Sequence, residues 1–131
     1  MEKNQYNVNG KKEGLWEEYW GNGEVSTRCT YKDGLIDGRY EYYYPNGTLN
    51  SVEEYIGGKK DGIVLRYNHR TRNILEIRFN NRDGLADDLY ERFFVSGKIR
   101  EIGYYKLDEC VGLWERRNSK GKVIQREYYY I

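Results

Sequence analysis

The amino-acid sequence predicts an all-β protein, built as an elongated, single-layer antiparallel meander of about five β-hairpin repeats. Two observations carry this prediction. A phrase recurs five times about every 24 residues, with a glycine, an aromatic residue two places later and a second glycine nine places after the first. An aromatic residue then follows eight places after the second glycine position. Units this small cannot bury an apolar face alone, so neighbouring units must complete one another's packing.

Each copy of the phrase predicts one hairpin. The segment after the first glycine is rich in aromatic and β-branched residues and runs into a tight turn such as Asn22-Gly23 or Asn46-Gly47. Asparagine-glycine supplies the positive φ angles of a two-residue hairpin turn. A second strand follows, and a turn such as Asp33-Gly34 leads to the next copy. About ten short strands result.

The elements follow in order along a single domain, residues 1–131. The predicted repeats lie at about 6–30, 31–54, 55–78, 79–104 and 105–131. The first strand of each repeat follows its opening position: Gly14, Gly38, Gly62, Asp88 and Gly112. The second strands cover residues 24–31, 48–55, 72–79, 98–105 and 122–129. The third copy departs most, because Val64 replaces the ring and Thr71 the turn glycine. In the fourth copy, Asp88 replaces the first glycine.

Two columns of side chains are predicted to form the core. The first lies two places after each first glycine position: Trp16, Tyr40, Val64, Tyr90 and Trp114. The second is the closing aromatic of each copy: Tyr31, Tyr55, Phe79, Tyr105 and Tyr129. Strand alternation, counted without interruption, puts Val25, Leu49, Ile99 and Val123 on the same face as these closing aromatics.

The run Tyr31-Lys-Asp-Gly34-Leu-Ile-Asp-Gly38-Arg-Tyr40, with Tyr43-Tyr44-Pro-Asn-Gly47 after it, resembles MORN repeats, in particular their bacterial and viral variant. The resemblance covers roughly residues 6 to 130. It implies an elongated ladder of β-hairpins that serves as a scaffold for protein association. It also implies two alternatives: contact with membrane lipids, and an antitoxin or immunity role of the kind assigned to bacterial relatives.

The composition indicates which classes of partner and which cellular compartment to expect. Lysine plus arginine total 22 and aspartate plus glutamate 21, so the formal net charge of +1 predicts no general attraction to nucleic acid or anionic lipid. Neither a signal-peptide core nor a membrane span is evident, which favours a cytoplasmic location. Cys29 and Cys110 lie in different repeats without motif spacing and are expected to be free and reduced.

The sequence lacks the residue patterns that metal binding, cofactor binding or catalysis would require. One histidine, His69, and two unspaced cysteines predict no metal site, and no phosphate-binding loop, dinucleotide motif or catalytic set predicts a cofactor or an enzyme. Four glutamates do recur at one repeat position: Glu17, Glu41, Glu91 and Glu115. We expect them to lie on a solvated face, neutralised by Arg28, Lys98 or Arg126, rather than to act as paired catalytic carboxylates.

Arginines recur on the other face, four places after the first glycine position, and lie beside aromatic residues. Arginine and aromatic side chains are favoured at protein interfaces. The predicted partner-binding residues are Tyr42, Tyr44, Arg66, Arg92, Phe94 and Arg116. The competing interpretation is that these arginines only pair with local acids across strands. A second distinctive surface is the hairpin tip with His69, Arg70 and Arg72.

The sequence therefore predicts a non-enzymatic protein-binding module or scaffold whose partner is another protein. Its alternatives are an immunity protein that occludes a toxin and a peripheral lipid binder. Unprotected sheet edges invite pairing, so self-association through the terminal strands is also expected.

Overall fold

The structure is a computed structural model and describes residues 2–68 and 74–130. Its strands are β1 (Gln5–Tyr6), β2 (Lys12–Tyr19), β3 (Val25–Lys32), β4 (Leu35–Tyr43), β5 (Leu49–Ile56), β6 (Lys59–Lys60), β7 (Gly62–Asn68), β8 (Ile74–Arg82), β9 (Leu85–Phe93), β10 (Ile99–Lys106), β11 (Glu109–Arg117) and β12 (Val123–Tyr129). The described residues contain no helix, and therefore none that could cross a membrane.

The predicted fold is confirmed: one open antiparallel sheet of 12 strands runs in meander order. Five hairpins account for the ten longer strands: β2–β3, β4–β5, β7–β8, β9–β10 and β11–β12. The two remaining strands are two residues long; β1 pairs with β2, and β6 pairs with β5. All the extensive contacts between strands join hydrogen-bonded neighbours, so the sheet is a single layer.

The first glycine position of every repeat has a positive φ. Gly14, Gly38, Gly62 and Gly112 have φ values of 76°, 103°, 108° and 66°, and Asp88 has 74°. Residues other than glycine, asparagine and aspartate are strained at such positive φ angles. Asp88 therefore preserves the backbone path that glycine provides in the other copies.

The core is a line of side chains along one face. Val64 and Trp114 are buried, whereas Trp16, Tyr40 and Tyr90 of the same column are half-buried. The closing aromatics lie between members of this column: ring centroids are 5.9 Å apart for Trp16–Tyr31, 5.8 Å for Tyr40–Tyr55, 6.2 Å for Phe79–Tyr90, 5.0 Å for Tyr105–Trp114 and 6.4 Å for Trp114–Tyr129. Both predicted columns thus pack on one face.

The face predicted for Val25, Leu49, Ile99 and Val123 is wrong. Each hairpin has a register shift near its tip, for example between Glu18 and Tyr19. Such a bulge adds one residue to one strand and reverses the alternation beyond it. These aliphatic residues therefore pair with Tyr19, Tyr43, Phe93 and Arg117, on the face opposite the closing aromatics.

Candidate functional site

The strand register aligns four of the six predicted partner-binding residues. Consecutive cross-strand pairs connect Tyr42, Ser51, Arg66, Ile77, Arg92, Glu101 and Arg116 in that order, from β4 to β11. Directly paired residues share a face, so these seven residues form one line, here called the arginine row. Its arginines are two strands apart, a spacing of about 10 Å.

The other two predicted residues, Tyr44 and Phe94, lie beyond the strand ends in the hairpin tips. Tyr44 donates its hydroxyl to the backbone oxygen of Tyr67 in the next repeat, at 3.0 Å. Trp20 makes the equivalent link, because its indole nitrogen donates to the backbone oxygen of Tyr43 at 3.2 Å. Phe94 lies beneath the guanidinium of Arg100, 5.5 Å from ring centroid to Cζ. Tyr44 thus connects its hairpin tip to β7 of the next repeat, a structural role that the sequence analysis missed.

The arginines of the row have weak local partners. Arg92 Nη2 lies 3.7 Å from Glu76 Oε1, and Arg116 Nε lies 3.8 Å from Glu101 Oε2. Arg66 makes no ion pair with any described residue, and its guanidinium lies 5.6 Å from the Phe79 ring centroid. The competing interpretation was that these arginines only pair with local acids. It holds for two of the three arginines, Arg92 and Arg116. Such long, solvent-exposed pairs contribute little to stability.

Tyr42 lies at the β4 end of the arginine row, and its ring is half-buried. Its centroid lies 4.5 Å from that of Tyr40. Burial, with a smaller contribution from the carboxylate of Glu53, raises the pKa of Tyr42 to about 12. The hydroxyl therefore stays protonated at neutral pH and can donate a hydrogen bond.

The opposite face holds the recurring glutamates in ion pairs. Glu17 is buried and accepts from Lys3 and Arg28 at 2.8 Å each, and these two bonds lower its pKa to about 2. Glu115 accepts from Arg126 at 2.8 Å, as predicted. Glu91 pairs with Arg78, which lies directly opposite it and was not among the three predicted neutralising residues.

These carboxylates are therefore neutralised cross-strand partners, although Glu17 and Glu91 are buried rather than solvated as expected. A general acid needs a raised pKa, and the pKa values of Glu17 and Glu115 are lowered. No group of three or more His, Cys, Asp or Glu side chains within residues 2–68 and 74–130 could hold a metal ion. Cys29 and Cys110 are free. His69, Arg70 and Arg72 lie outside the described residues.

A second missed feature is an acid that holds the turn of the following repeat. The residue before the first glycine position accepts a hydrogen bond from a backbone N–H of that turn: Asp33 N donates to Glu13 at 2.9 Å, Gly57 N to Asp37 at 3.0 Å, Asp83 N to Asp61 at 3.5 Å and Leu107 N to Asp87 at 3.3 Å. The signal was the acid that recurs directly before this position in four copies; the fifth copy has Val111.

The hairpins and their links agree with a known repeat family. The family model described as MORN repeat variant matches residues 12–33 and 36–56, which span the hairpins β2–β3 and β4–β5. The chain therefore contains MORN repeats. No curated protein matches it.

Within this MORN array, the arginines of the row lie outside both matched segments. The same repeat position holds Glu18 in the first copy and Tyr42 in the second. The fold therefore tolerates an acid, a phenol or a guanidinium there, whereas the neighbouring spine position requires bulk. A position that accepts such different side chains and yet carries arginine in three consecutive copies is the best candidate for function.

Proposed function

We propose that this MORN-repeat protein is a non-enzymatic protein-binding module, and that it holds its partner on the arginine row. The observation that carries the proposal is the alignment of Tyr42, Arg66, Arg92 and Arg116 on one face of a continuous sheet. MORN repeats are consistent with a protein-binding or membrane-associated module, and the family is not an enzyme family.

The energetics of the row support binding rather than stability. Arg92 and Arg116 lie 3.7 Å and 3.8 Å from Glu76 and Glu101, and Arg116 also donates to Gln125 at 3.3 Å. Arg66 lies over a ring. A partner's carboxylates can replace these exposed contacts at small cost. A guanidinium offers five donors in a planar fork and loses little entropy on binding. Arginine and tyrosine are the side chains on which binding energy concentrates at interfaces.

The composition of the row favours a protein over a membrane surface. A polybasic lipid-binding patch gains about 1 kcal/mol from each basic residue and needs several in a cluster. Here Ile77 and Glu101 separate the arginines, so basic, apolar and acidic groups alternate along the line. This mixed pattern suits a partner with complementary groups, and a toxin held by an immunity protein is one case of such a partner.

Capture from a native lysate, followed by chemical cross-linking and mass spectrometry, tests the proposal. The variant Arg66→Glu, Arg92→Glu, Arg116→Glu should keep its circular dichroism spectrum and lose the partner, because like charge would face the partner's acids. The matched control is Lys32→Glu, Lys59→Glu, Lys120→Glu, which makes the same change in net charge at exposed positions outside the row.

A second variant, with glutamine at the three arginine positions, separates lost binding from any misfolding caused by added acids. It should weaken capture without altering the spectrum. Capture that persists in both folded row variants would exclude the row. Binding to vesicles of mixed phosphatidylserine and phosphatidylcholine, without capture of any protein, would replace this proposal with a membrane-binding function.

A further inference from the structure

The two terminal strands of the sheet differ in how their outer sides are covered. At the β2 edge, β1 pairs Gln5 with Glu13 and Tyr6 with Lys12. Asn4 continues this cover: its backbone N–H donates to Leu15 O at 2.9 Å. Its side chain accepts from Glu17 N at 2.8 Å and donates to Glu17 O at 3.2 Å. One amide side chain therefore occupies both outward backbone groups of Glu17.

Two side chains complete this cover. Lys3 donates to the Glu17 carboxylate at 2.8 Å and also to the Tyr19 hydroxyl. The Tyr6 ring packs edge-on against Trp16, with centroids 5.2 Å apart. The outer side of β2 is thus covered from Lys12 to Glu17, which leaves a strand from another molecule little free ladder beside β2.

At the opposite edge, β12 pairs with β11 and with no other strand in the described part of the chain. Native edge strands are usually protected by proline, by lysine or by a covering segment. Residues 123–129 contain neither proline nor lysine, and their two charged side chains, Arg126 and Glu127, are bonded within the chain to Glu115 and Tyr129. Ile124, Tyr128 and Tyr130 present large side chains that are 63%, 64% and 94% exposed. β12 therefore offers an unprotected ladder next to exposed aromatic surface.

The repeat that ends in β12 also lacks the device that joins earlier repeats. Four copies offer an acid to the turn that follows, whereas the fifth has Val111 at that position. A further repeat of the same kind would find no acceptor there for its turn. A strand from another molecule has no such turn and therefore needs no acceptor.

We propose that β12 pairs with β12 of a second copy of this chain, antiparallel and across a two-fold axis perpendicular to the sheet. Pairing of a strand with itself closes after two copies. Growth into a filament would require β12 to pair with the β2 edge, which Asn4, Lys3 and β1 cover. The expected product is a discrete dimer.

Charge disfavours two registers of this pairing and favours a third. An axis at Arg126 or at Glu127 would put like charges directly opposite each other, which is destabilising. An axis at Tyr128 puts Glu127 opposite Tyr129 and Arg126 opposite Tyr130. The first pair repeats a hydrogen bond already present within the chain, where Tyr129 Oη donates to Glu127 Oε2 at 3.0 Å. The second brings a guanidinium to an aromatic ring.

A two-fold axis perpendicular to the sheet leaves the same face of both copies on the same side of the dimer. The two arginine rows would therefore face the same way, and the dimer would present a doubled row to a partner. Dimerisation itself does not depend on the arginines of the row and can be tested without a partner.

Sedimentation equilibrium of the intact chain over a wide concentration range measures the dimer. Tyr128→Lys places two ammonium groups opposite each other on the axis and should raise the dimer Kd at least about tenfold, the equivalent of roughly 1.4 kcal/mol. Tyr104→Lys is the matched control, because Tyr104 is an exposed tyrosine of β10 that lies away from the edge, and its Kd should not change.

Cross-linking tests the register independently. In a Cys110→Ser background, a short bismaleimide should join Tyr128→Cys to itself, and it should leave Arg39→Cys on β4 monomeric. A monomer at every concentration, a dimer that Tyr128→Lys does not weaken, or growth beyond two copies would each overturn the proposal.

Discussion

Gly103 shows how a single residue is fixed by its neighbour. It is buried, and it has no positive φ that would require glycine. A Cβ built on Gly103 would lie 2.0 Å from Cδ2 of Trp114, because the indole ring covers its backbone. The buried tryptophan of the fifth repeat therefore depends on the absence of a side chain on β10.

Replacement of Gly103 by alanine should destabilise the protein. The added methyl group would displace a buried ring, and overpacking of this kind costs about 1–3 kcal/mol. Gly21→Ala is the matched control, since a Cβ at Gly21 meets nothing within 4 Å and its φ is not positive. Urea unfolding followed by tryptophan fluorescence measures both. Equal stabilities for the two variants would contradict the close approach of Trp114 to Gly103.

At the scale of strands and hairpins, the glutamate face joins β2 to β3 through ionised groups. Glu17 lies opposite Arg28 and also accepts from Lys3. These contacts lower the pKa of Glu17 from 4.5 to about 2. Because the unfolded chain binds this proton at higher pH than the folded one, the contribution of Glu17 to stability is complete above about pH 4.5 and disappears as the pH falls through about 2.

The free energy of unfolding should therefore rise with pH between about 2 and 4.5. In Glu17→Gln this rise should be smaller, because the neutral amide cannot titrate. Urea melts at several pH values give both slopes. Glu18→Gln, at an exposed carboxylate next along β2, serves as the control and should keep the parent's slope. A Glu17→Gln slope equal to the parent's would show that the ion pairs do not form.

Most of the element-scale structure could be predicted from the sequence, because its determinants are local. The tip glycines and the alternation within strands specify hairpins, and the 24-residue spacing specifies their order. The predicted two-residue turn is wrong: Gly23 has a positive φ but Asn22 does not, and Trp20 pairs with Glu24 across a three-residue tip. The bulge beside Tyr19 could not be predicted, since it depends on pairing across strands rather than on residue type. The ion-pair partner of Glu91 could not be predicted for the same reason, because the register, and not the sequence distance, puts Arg78 opposite it.

The candidate site was predictable only in part. The recurrence of arginine four places after the first glycine placed Arg66, Arg92 and Arg116 in one row, because that interval lies within a single strand between the bulges. Tyr44 was grouped with them by counting past the end of β4, where the chain turns and strand alternation no longer applies. The acids that hold successive turns were visible as a repeat but carried no chemical signature of their own.

For the whole molecule, the central claim is that a single-layer MORN ladder separates stability from binding by position. The ring spine and the ion-paired glutamates hold the strands together, and the role proposed for the arginine row is to contact another protein. Side-chain footprinting with an arginine-selective dicarbonyl reagent, on the free protein and on the captured complex, tests this division directly.

The account predicts that partner binding lowers modification of Arg66 and Arg116 and leaves Arg39 and Arg126, exposed on the opposite face, as reactive as in the free protein. Protection of Arg39 and Arg126, with Arg66 and Arg116 still fully reactive in the complex, would contradict it.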